Sequence, residues 1–236
     1  MSAGGPIAKV SEGQDLYPHG LACISGKKDV HAILNRLDGD FEIIDMEKSA
    51  FVKPQSCSFG QDGGRRRRWD MVVSHPSVAV LLYNRTRDAL VLVRQFRPPV
   101  YASEMRDKGA LPMSGGLTYE LCAGIVDKDK SLAEIAKEEV LEECGYDVPL
   151  ASIKPLTSFI SAIGISGSRQ AIFYAEVDDA QKVADGGGTD ADGEAIEVLA
   201  LPMANLEDFL IDDSLAKSGG LMFAAMWFKH RMGGKL

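Results

Sequence analysis

Long hydrophobic runs are missing from this chain of 236 residues. A bilayer-spanning helix needs roughly 20 consecutive apolar residues, so neither a membrane span nor a membrane partner is expected. The start, Met1-Ser2-Ala3-Gly4-Gly5-Pro6, lacks the charged region and apolar run of a secretory leader. Cysteine is scarce: Cys23, Cys57, Cys122 and Cys144 follow neither a metal-binding nor a disulfide spacing, which points to a reducing compartment. The four histidines, His19, His31, His75 and His230, are scattered and suggest no catalytic triad. Positive charge is in deficit, 26 Lys and Arg against 34 Asp and Glu for a net charge of −8, which argues against a nucleic-acid binder. The run Arg65-Arg66-Arg67-Arg68 is a local exception that reads as a solvated loop or a nuclear signal rather than a phosphate clamp. No internal repeat is visible. The ending Gly234-Lys235-Leu236 differs only in its first position from a peroxisomal address, but most such endings are accidental and the expected location is the cytoplasm.

A chain of this length buries a substantial core as one domain, or as one domain with an appendage. Residues 1–74 are irregular, with a strand expected over 41–46 and a Gly-rich basic loop over 60–68. From residue 75 the pattern becomes regular. Apolar runs at 78–83 and 89–96 read as buried strands joined through a turn at 84–88. Residues 101–118 read as a long loop containing Pro112 and Gly115-Gly116, of the kind that often carries function. A helix is expected over 131–145, then strands at 153–159, 170–177 and 195–201 and helices at 204–211 and 215–231. This interleaving predicts an α/β fold with helices covering a mixed sheet. It divides the chain into an N-terminal β region, 1–74, and a main domain, 75–236.

The helix over 131–145 carries the strongest chemical signal. Ser131 with Glu134 three residues later reads as a capping box, and Gly145 stands where a left-handed C-cap is wanted. At 100° per residue with Val140 at zero, Leu132, Ile135 and Ala136 fall in an arc of roughly 220° to 320° that also takes in Glu139 and Glu143, with Glu142 at its edge. Glu134 and Lys137 fall outside. Carboxylates one turn apart at ~5 Å repel by about 3 kcal/mol at an effective dielectric of ~20, and crowding raises their pKa values unless a positive group intervenes. A hard divalent ion with oxygen ligands, Mg²⁺ or Mn²⁺, answers that demand; a solvated acidic face is the plainer alternative.

From Gly124 to Tyr146 the sequence resembles the box of the Nudix hydrolases, G-x5-E-x7-R-E-U-x-E-E-x-G-U with U apolar. Gly124, Glu139, Val140, Glu142, Glu143 and Gly145 all match at the required spacing. Lys130 replaces the first Glu and Glu138 replaces the Arg, opposite changes of charge that suggest an ion pair swapped rather than lost. Val93-Arg94-Gln95-Phe96-Arg97-Pro98-Pro99 and Glu120-Leu121-Cys122-Ala123-Gly124 look like the branch that cleaves nucleoside diphosphate sugars and ADP-ribose. Trp69-Asp70 and Gly167-Ser168-Arg169-Gln170 lean toward the enzymes acting on UDP-glucose. Ser168 stands where ADP-ribose enzymes usually carry a Glu.

The resemblance implies an α/β/α sandwich, a homodimer reached across by the N-terminal β region, and Mg²⁺-dependent cleavage of UDP-glucose to UMP and glucose 1-phosphate. ADP-ribose hydrolysis and a catalytically silent nucleotide- or protein-binding module are the alternatives. Glu139 and Glu143 are the first choices as metal ligands and Glu142 the next, and the resemblance adds the carbonyl oxygen of Ala123. The general base is expected from the segment 186–194, flexible by composition, with Glu194 the candidate; some relatives use a box glutamate, which points to Glu142. For substrate, Arg97 offers a planar fork to phosphate. Trp69 matches a base-stacking tryptophan of the ADP-ribose branch, Arg169 suits the sugar or uracil, and Glu120 a ribose hydroxyl or an arginine. The alternatives are pairing with an acid at a dimer interface for Arg97, a buried packing role for Trp69 and bracing of its loop for Arg169. Trp227 reads as core.

Overall fold

Residues 7–26, 28–46, 49, 52–189 and 193–232 are described by a computed structural model. The ending Gly234-Lys235-Leu236 and the acids Asp190 and Asp192 lie outside them. The elements are β1 (Ala22–Cys23), α1 (Val30–Asn35), β2 (Lys53–Gln61), β3 (Arg65–Val73), β4 (Ser77–Asn84), β5 (Ala89–Phe96), α2 (Pro98–Lys108), β6 (Leu117–Glu120), β7 (Cys122–Ile125), α3 (Leu132–Cys144), β8 (Lys154–Ile160), β9 (Arg169–Val177), β10 (Ile196–Pro202), α4 (Leu206–Ile211) and α5 (Gly219–Met232).

The strands Ser77–Asn84, Ala89–Phe96 and Ile196–Pro202 in the middle of the sheet are buried on both faces, which is why they read as continuous apolar runs rather than alternating ones. The order is β1-β10-β5-β4-β9-β8, with β6 added to β5 and β7 to β4. β4 and β9 run parallel and the other pairs antiparallel, so the sheet is mixed. Val78, Val80 and Leu82 of β4 point with Val91 and Val93 toward Ile135, Ala136 and Val140 of α3. Ala79 and Leu81, with Leu90 and Leu92, point toward Phe209 of α4 and Leu221, Ala224 and Phe228 of α5. The expected α/β/α sandwich is therefore what forms. Among the described residues no helix is long and apolar enough to cross a membrane, and the four cysteines are free.

β4 forks. Its first half, Ser77 to Val80, pairs with β7, whereas Leu82 to Asn84 pair with β5, and the far half of β5 pairs instead with β6. The two arms, β5–β6 and β7, part around Leu81. A buried cluster fastens the N-terminal segment. Arg94 Nε donates to Glu197 Oε2 at 2.8 Å, Tyr17 Oη donates to Glu197 Oε1 at 2.7 Å, and Arg94 also reaches Tyr119 Oη and the Leu16 carbonyl. Arg94 and Glu197 are directly opposed in the ladder and almost fully buried.

Three expectations need correction. Residues 41–46 form no strand: Ile43, Ile44 and Met46 are exposed, and without a partner ladder their β propensity has nothing to pair with. The 60–68 segment is no loop. Gly63 and Gly64, at φ 74° and 104°, supply only the turn, and Arg65 to Arg68 open β3 of an antiparallel hairpin in which Cys57 opposes Trp69. Residues 101–118 are mostly ordered as α2, a 3-10 turn at Met113–Gly116 and the start of β6. The signal for that helix is Pro98-Pro99, since a proline in the first helical turn gives up a donor that has no intrahelical partner there.

Candidate active site

Helix α3 forms as its caps predict. Ser131 Oγ accepts the Glu134 N–H, the Glu134 side chain returns to the Ser131 N–H, and Gly145 closes the helix at φ 75°. Segment 182–188 then covers the helix end. Lys182 Nζ donates to the Cys144 carbonyl at 2.9 Å, the Val183 and Ala184 N–H groups to the Gly145 carbonyl, and the Gly187 N–H to the Glu143 carbonyl at 2.7 Å. Carbonyls that a helix C-terminus leaves without partners are thus satisfied. The approach is close enough that a Cβ on Gly145 would overlap the Ala184 carbonyl and one on Gly186 the Glu143 carbonyl.

On the inner face of α3, Glu143 is 4% exposed and one carboxylate oxygen accepts the Ala123 N–H at 2.9 Å. Ala123 stands opposite Ala79 in the β4–β7 ladder, and its N–H is given to Glu143 rather than to β4. N–H and C=O of one strand residue point to the same side, so the Ala123 carbonyl also turns off the ladder, toward the carboxylate side. Glu139 lies against the next residue: a Cβ on Gly124 would fall on its carboxyl. That overlap gives the Gly124–Glu139 spacing its physical reason. Burial, reinforced by the Glu142 charge, pushes the Glu139 carboxyl up to about 7; burial also pushes Glu143 up to about 8, against the Ala123 hydrogen bond.

Glu194 joins this group. Its carboxylate accepts the Thr189 N–H at 3.0 Å, a Cβ on Gly188 would overlap it, and its charge contributes to the rise at both Glu139 and Glu143. Within the segment 186–194, the Gly187 and Gly188 N–H groups reach α3 carbonyls and the Thr189 N–H reaches Glu194; composition registers the glycines but not what they pack against. Glu142 is half-buried at the edge of the face, and its carbonyl accepts the Gly188 N–H.

The β5–β6 arm supplies Arg97 and Glu120. Arg97 Nε and Nη2 meet the two Glu120 oxygens at 2.7 and 2.8 Å, and Thr118 Oγ1 donates to Glu120 at 2.6 Å. Glu120's burial alone would raise its pKa, but Arg97 and Thr118 outweigh it and hold the carboxyl low. Of the readings open for Glu120, holding an arginine is the one observed. Trp69 and Arg169 have partners of their own: Trp69 Nε1 donates to the Gly164 carbonyl at 2.9 Å and Arg169 to Ser158 Oγ at 3.0 Å. Among the described residues neither makes a hydrogen bond or ion pair to the α3 carboxylates. Lys130 and Glu138 are joined directly, with Lys128 Nζ 3.6 Å from Glu138, so the two departures from the box restore one another.

No family model matches the chain. Uridine diphosphate glucose pyrophosphatase of Bos taurus is 40% identical over 198 residues, 76% of this chain and 89% of that protein. This chain belongs to the Nudix hydrolase family. The mouse (Mus musculus) protein of the same name is 38% identical over the same coverage, and a GDP-mannose pyrophosphatase of Klebsiella pneumoniae is 38% identical over 58% of this chain and 62% of its own. A crystal structure of an ADP compounds hydrolase superposes with a TM-score of 0.60 at 18% identity, covering 80% of this chain and 91% of the other, a likeness that concerns the fold alone.

Among the described residues this Nudix hydrolase does not gather three acidic, histidine or cysteine side chains into a ready-made ligand cluster. Its donors suit a cation that keeps water and substrate oxygens, as Mg²⁺ does with one or two carboxylates. Sequence reasoning misses two further residues here: Thr118, and Lys128, whose ammonium stands among Glu139, Glu138 and Glu142 and is held protonated by them although burial opposes it. Thr118 acts on Glu120 two residues on in β6, and Lys128 acts from the turn between β7 and α3; no motif spacing marks either.

Two outcomes are expected. In the cation-free protein the unfolded state deprotonates near pH 4.5, while native Glu139 and Glu143 hold protons to about 7 and about 8. The native state therefore binds more protons between those limits, and stability falls as pH rises through them. Denaturant titrations in chelator at pH 5.5 and 8.5 should show the loss, reduced in Glu143→Gln; equal slopes in the two proteins would contradict it. Lys130→Glu should lower the melting temperature and Lys130→Glu with Glu138→Arg should restore it, whereas matching losses would show that the pair is not what stabilises the loop.

Proposed function

We propose that this protein hydrolyses the pyrophosphate bond of nucleoside diphosphate sugars, with UDP-glucose cleaved to UMP and glucose 1-phosphate as the first choice. The observation that carries the reading is the pair Glu139 and Glu143, buried against the Ala123-Gly124 turn where a carboxylate is costly without a cation. Similarity to named UDP-glucose pyrophosphatases over most of the chain supports the substrate class. The silent-module reading rested on Lys130 and Glu138, and their direct pairing removes its ground.

Glu139, Glu143 and the Ala123 carbonyl would hold Mg²⁺, with Mn²⁺ as a substitute and Glu142 the next ligand. Such an ion neutralises phosphate oxygens and lowers the pKa of water. The chain's own residues do the rest. Glu194, carried on a segment fixed to α3, takes the proton from the attacking water as its oxygen bonds to phosphorus and the bridging P–O bond breaks; Glu142 is the alternative base. Arg97 binds a phosphate oxygen. Its fork is filled by Glu120, so substrate either uses the remaining Nη1 edge or displaces that carboxylate.

Trp69 and Arg169 serve base and sugar in this reading across a homodimer formed by the N-terminal β region, 1–74, on the hydrolase domain, 75–236. Support comes from the hairpin face that carries Trp69. Phe59, Trp69 and Val73 are 43%, 51% and 44% exposed on it, and an isolated two-stranded hairpin is marginal without a surface to pack on. Free cysteines agree with a cytoplasmic setting.

An assay with Mg²⁺ on UDP-glucose, GDP-mannose and ADP-ribose, in which an added alkaline phosphatase frees phosphate from the monoester products, should give the highest kcat/KM for UDP-glucose. Glu143→Gln should lower kcat by ~10²-fold or more, beyond the roughly 10–100-fold typical of outer-shell changes. Preference for ADP-ribose would overturn the substrate choice, and an undiminished Glu143→Gln the metal assignment. Light scattering should report about twice the 25.5 kDa chain mass, falling toward the monomer in Phe59→Asp with Trp69→Asp; a monomeric wild type would sink the dimer.

A further inference from the structure

The layer of α4 and α5, on the opposite face of the sheet from the α3 carboxylates, contains a cavity that the chemistry above does not use. It has a volume of about 520 Å³ and lies between the start of β8, the outer half of β9 and the last turns of α5. That size is within the roughly 300–1,000 Å³ of small-molecule sites. One wall is aromatic. Trp227 is half-buried with Tyr174 edge-on to it at 5.5 Å, and Tyr174 in turn packs on Phe228 at 5.8 Å. Sequence alone reads Trp227 as core, yet part of its indole is left facing this space.

The rest of the lining is charged in a particular way. Lys154 and Arg231 stand at the cavity, and among the described residues neither is in an ion pair, in a chain whose net charge is −8. The Arg231 guanidinium lies over the Trp227 ring at 5.6 Å from its centroid, so it can cover a planar group stacked there or turn outward to an anion. Glu176 is the one acid of the lining; its carboxylate accepts from Tyr174 Oη at 3.0 Å and keeps acceptor capacity for another N–H.

An aromatic wall, two cations without an ion pair among the described residues and a single acceptor match a planar heterocycle that bears a ring N–H and an anionic group. We propose that this cavity is a second ligand site taking a nucleoside monophosphate, its base against Trp227 and Tyr174, its ring N–H toward Glu176 and its phosphate between Lys154 and Arg231. Stacking is tolerant of base identity, while the Glu176 acceptor favours bases with a ring N–H, uracil and guanine, over adenine and cytosine. The inference stands independently of the hydrolytic reading, because it rests on a different face of the sheet.

The chain has two tryptophans, so Trp69→Phe leaves Trp227 as the sole indole. Its emission is followed while UMP is added to the full chain in EDTA, where the carboxylates hold no cation. Saturable quenching is expected, with uridine and inorganic phosphate each needing at least about tenfold higher concentration, the loss that follows from removing charge-assisted hydrogen bonds or the stack. Lys154→Ala with Arg231→Ala, both at exposed positions outside the core, should raise the half-saturation for UMP by a similar factor with an unchanged melting temperature. Glu143→Gln should leave it unaltered. Absence of quenching, quenching equal for uridine and UMP, or a double variant that binds as before would each overturn the proposal, while hydrolysis of UDP-glucose is scored separately and stands or falls by itself.

Discussion

A single hydrogen bond organises the site: the Ala123 N–H donated to the buried carboxylate of Glu143 at 2.9 Å. It fixes the distance between α3 and β7, turns the backbone of Ala123 off the β4 ladder, and leaves Gly124 beneath Glu139 with no room for a side chain. Such a contact is stable without a cation only while the carboxyls keep their protons, because a buried charge without a partner is expensive.

The fork in β4 makes this arrangement possible. A sheet paired evenly from end to end would leave no gap in which β7 could expose its backbone to α3 while β5 and β6 present Arg97 and Glu120 from the other side. The cover over the C-terminus of α3 completes the third side and brings Glu194 within electrostatic reach of Glu139 and Glu143. Each arm is tied down by ordinary means: a capping box, an αL glycine, a bidentate ion pair, and glycines where backbones meet. The buried Arg94–Glu197 pair performs the same service on the opposite face, tying residues 16 and 17 to β5 and β10. Removing one member of such a pair would leave the other buried and uncompensated, which makes it a means of fixing register.

Much of this is legible in residue order alone. The central strands announce themselves as apolar runs, and their observed bounds differ from expected ones by a residue or two because strand ends are soft, whereas α5 begins at Gly219, four residues later than expected. The inward face of α3 follows from 100° per residue, and Ile135, Ala136, Val140 and Glu143 are indeed buried on it. The swapped Lys130–Glu138 pair follows from opposite charge changes at two box positions. Legibility fails where structure depends on a distant partner. Residues 41–46 have strand-like composition and no strand to pair with. Residues 65–68 have the composition of a solvated loop, yet the register opposite β2 makes them a strand. The helix at α2 escapes notice because the apolar pattern there is weak, while the informative residues are two prolines at its start.

What the sequence determined by itself was everything set by local periodicity and spacing: the α/β class, the α3 helix with its caps, the inward carboxylates, and the family of the box. These follow because a helix or strand orients its side chains by its own geometry. The tertiary structure alone decided which backbone atoms those carboxylates meet, that Glu120 fills the fork of Arg97, that residues 187 and 188 hydrogen-bond to the carbonyls of α3, and that Trp69 and Arg169 hydrogen-bond to Gly164 and Ser158. Such facts depend on groups brought together from distant parts of the chain, and on burial, which sets the protonation of Glu139 and Glu143 and has no counterpart in residue order.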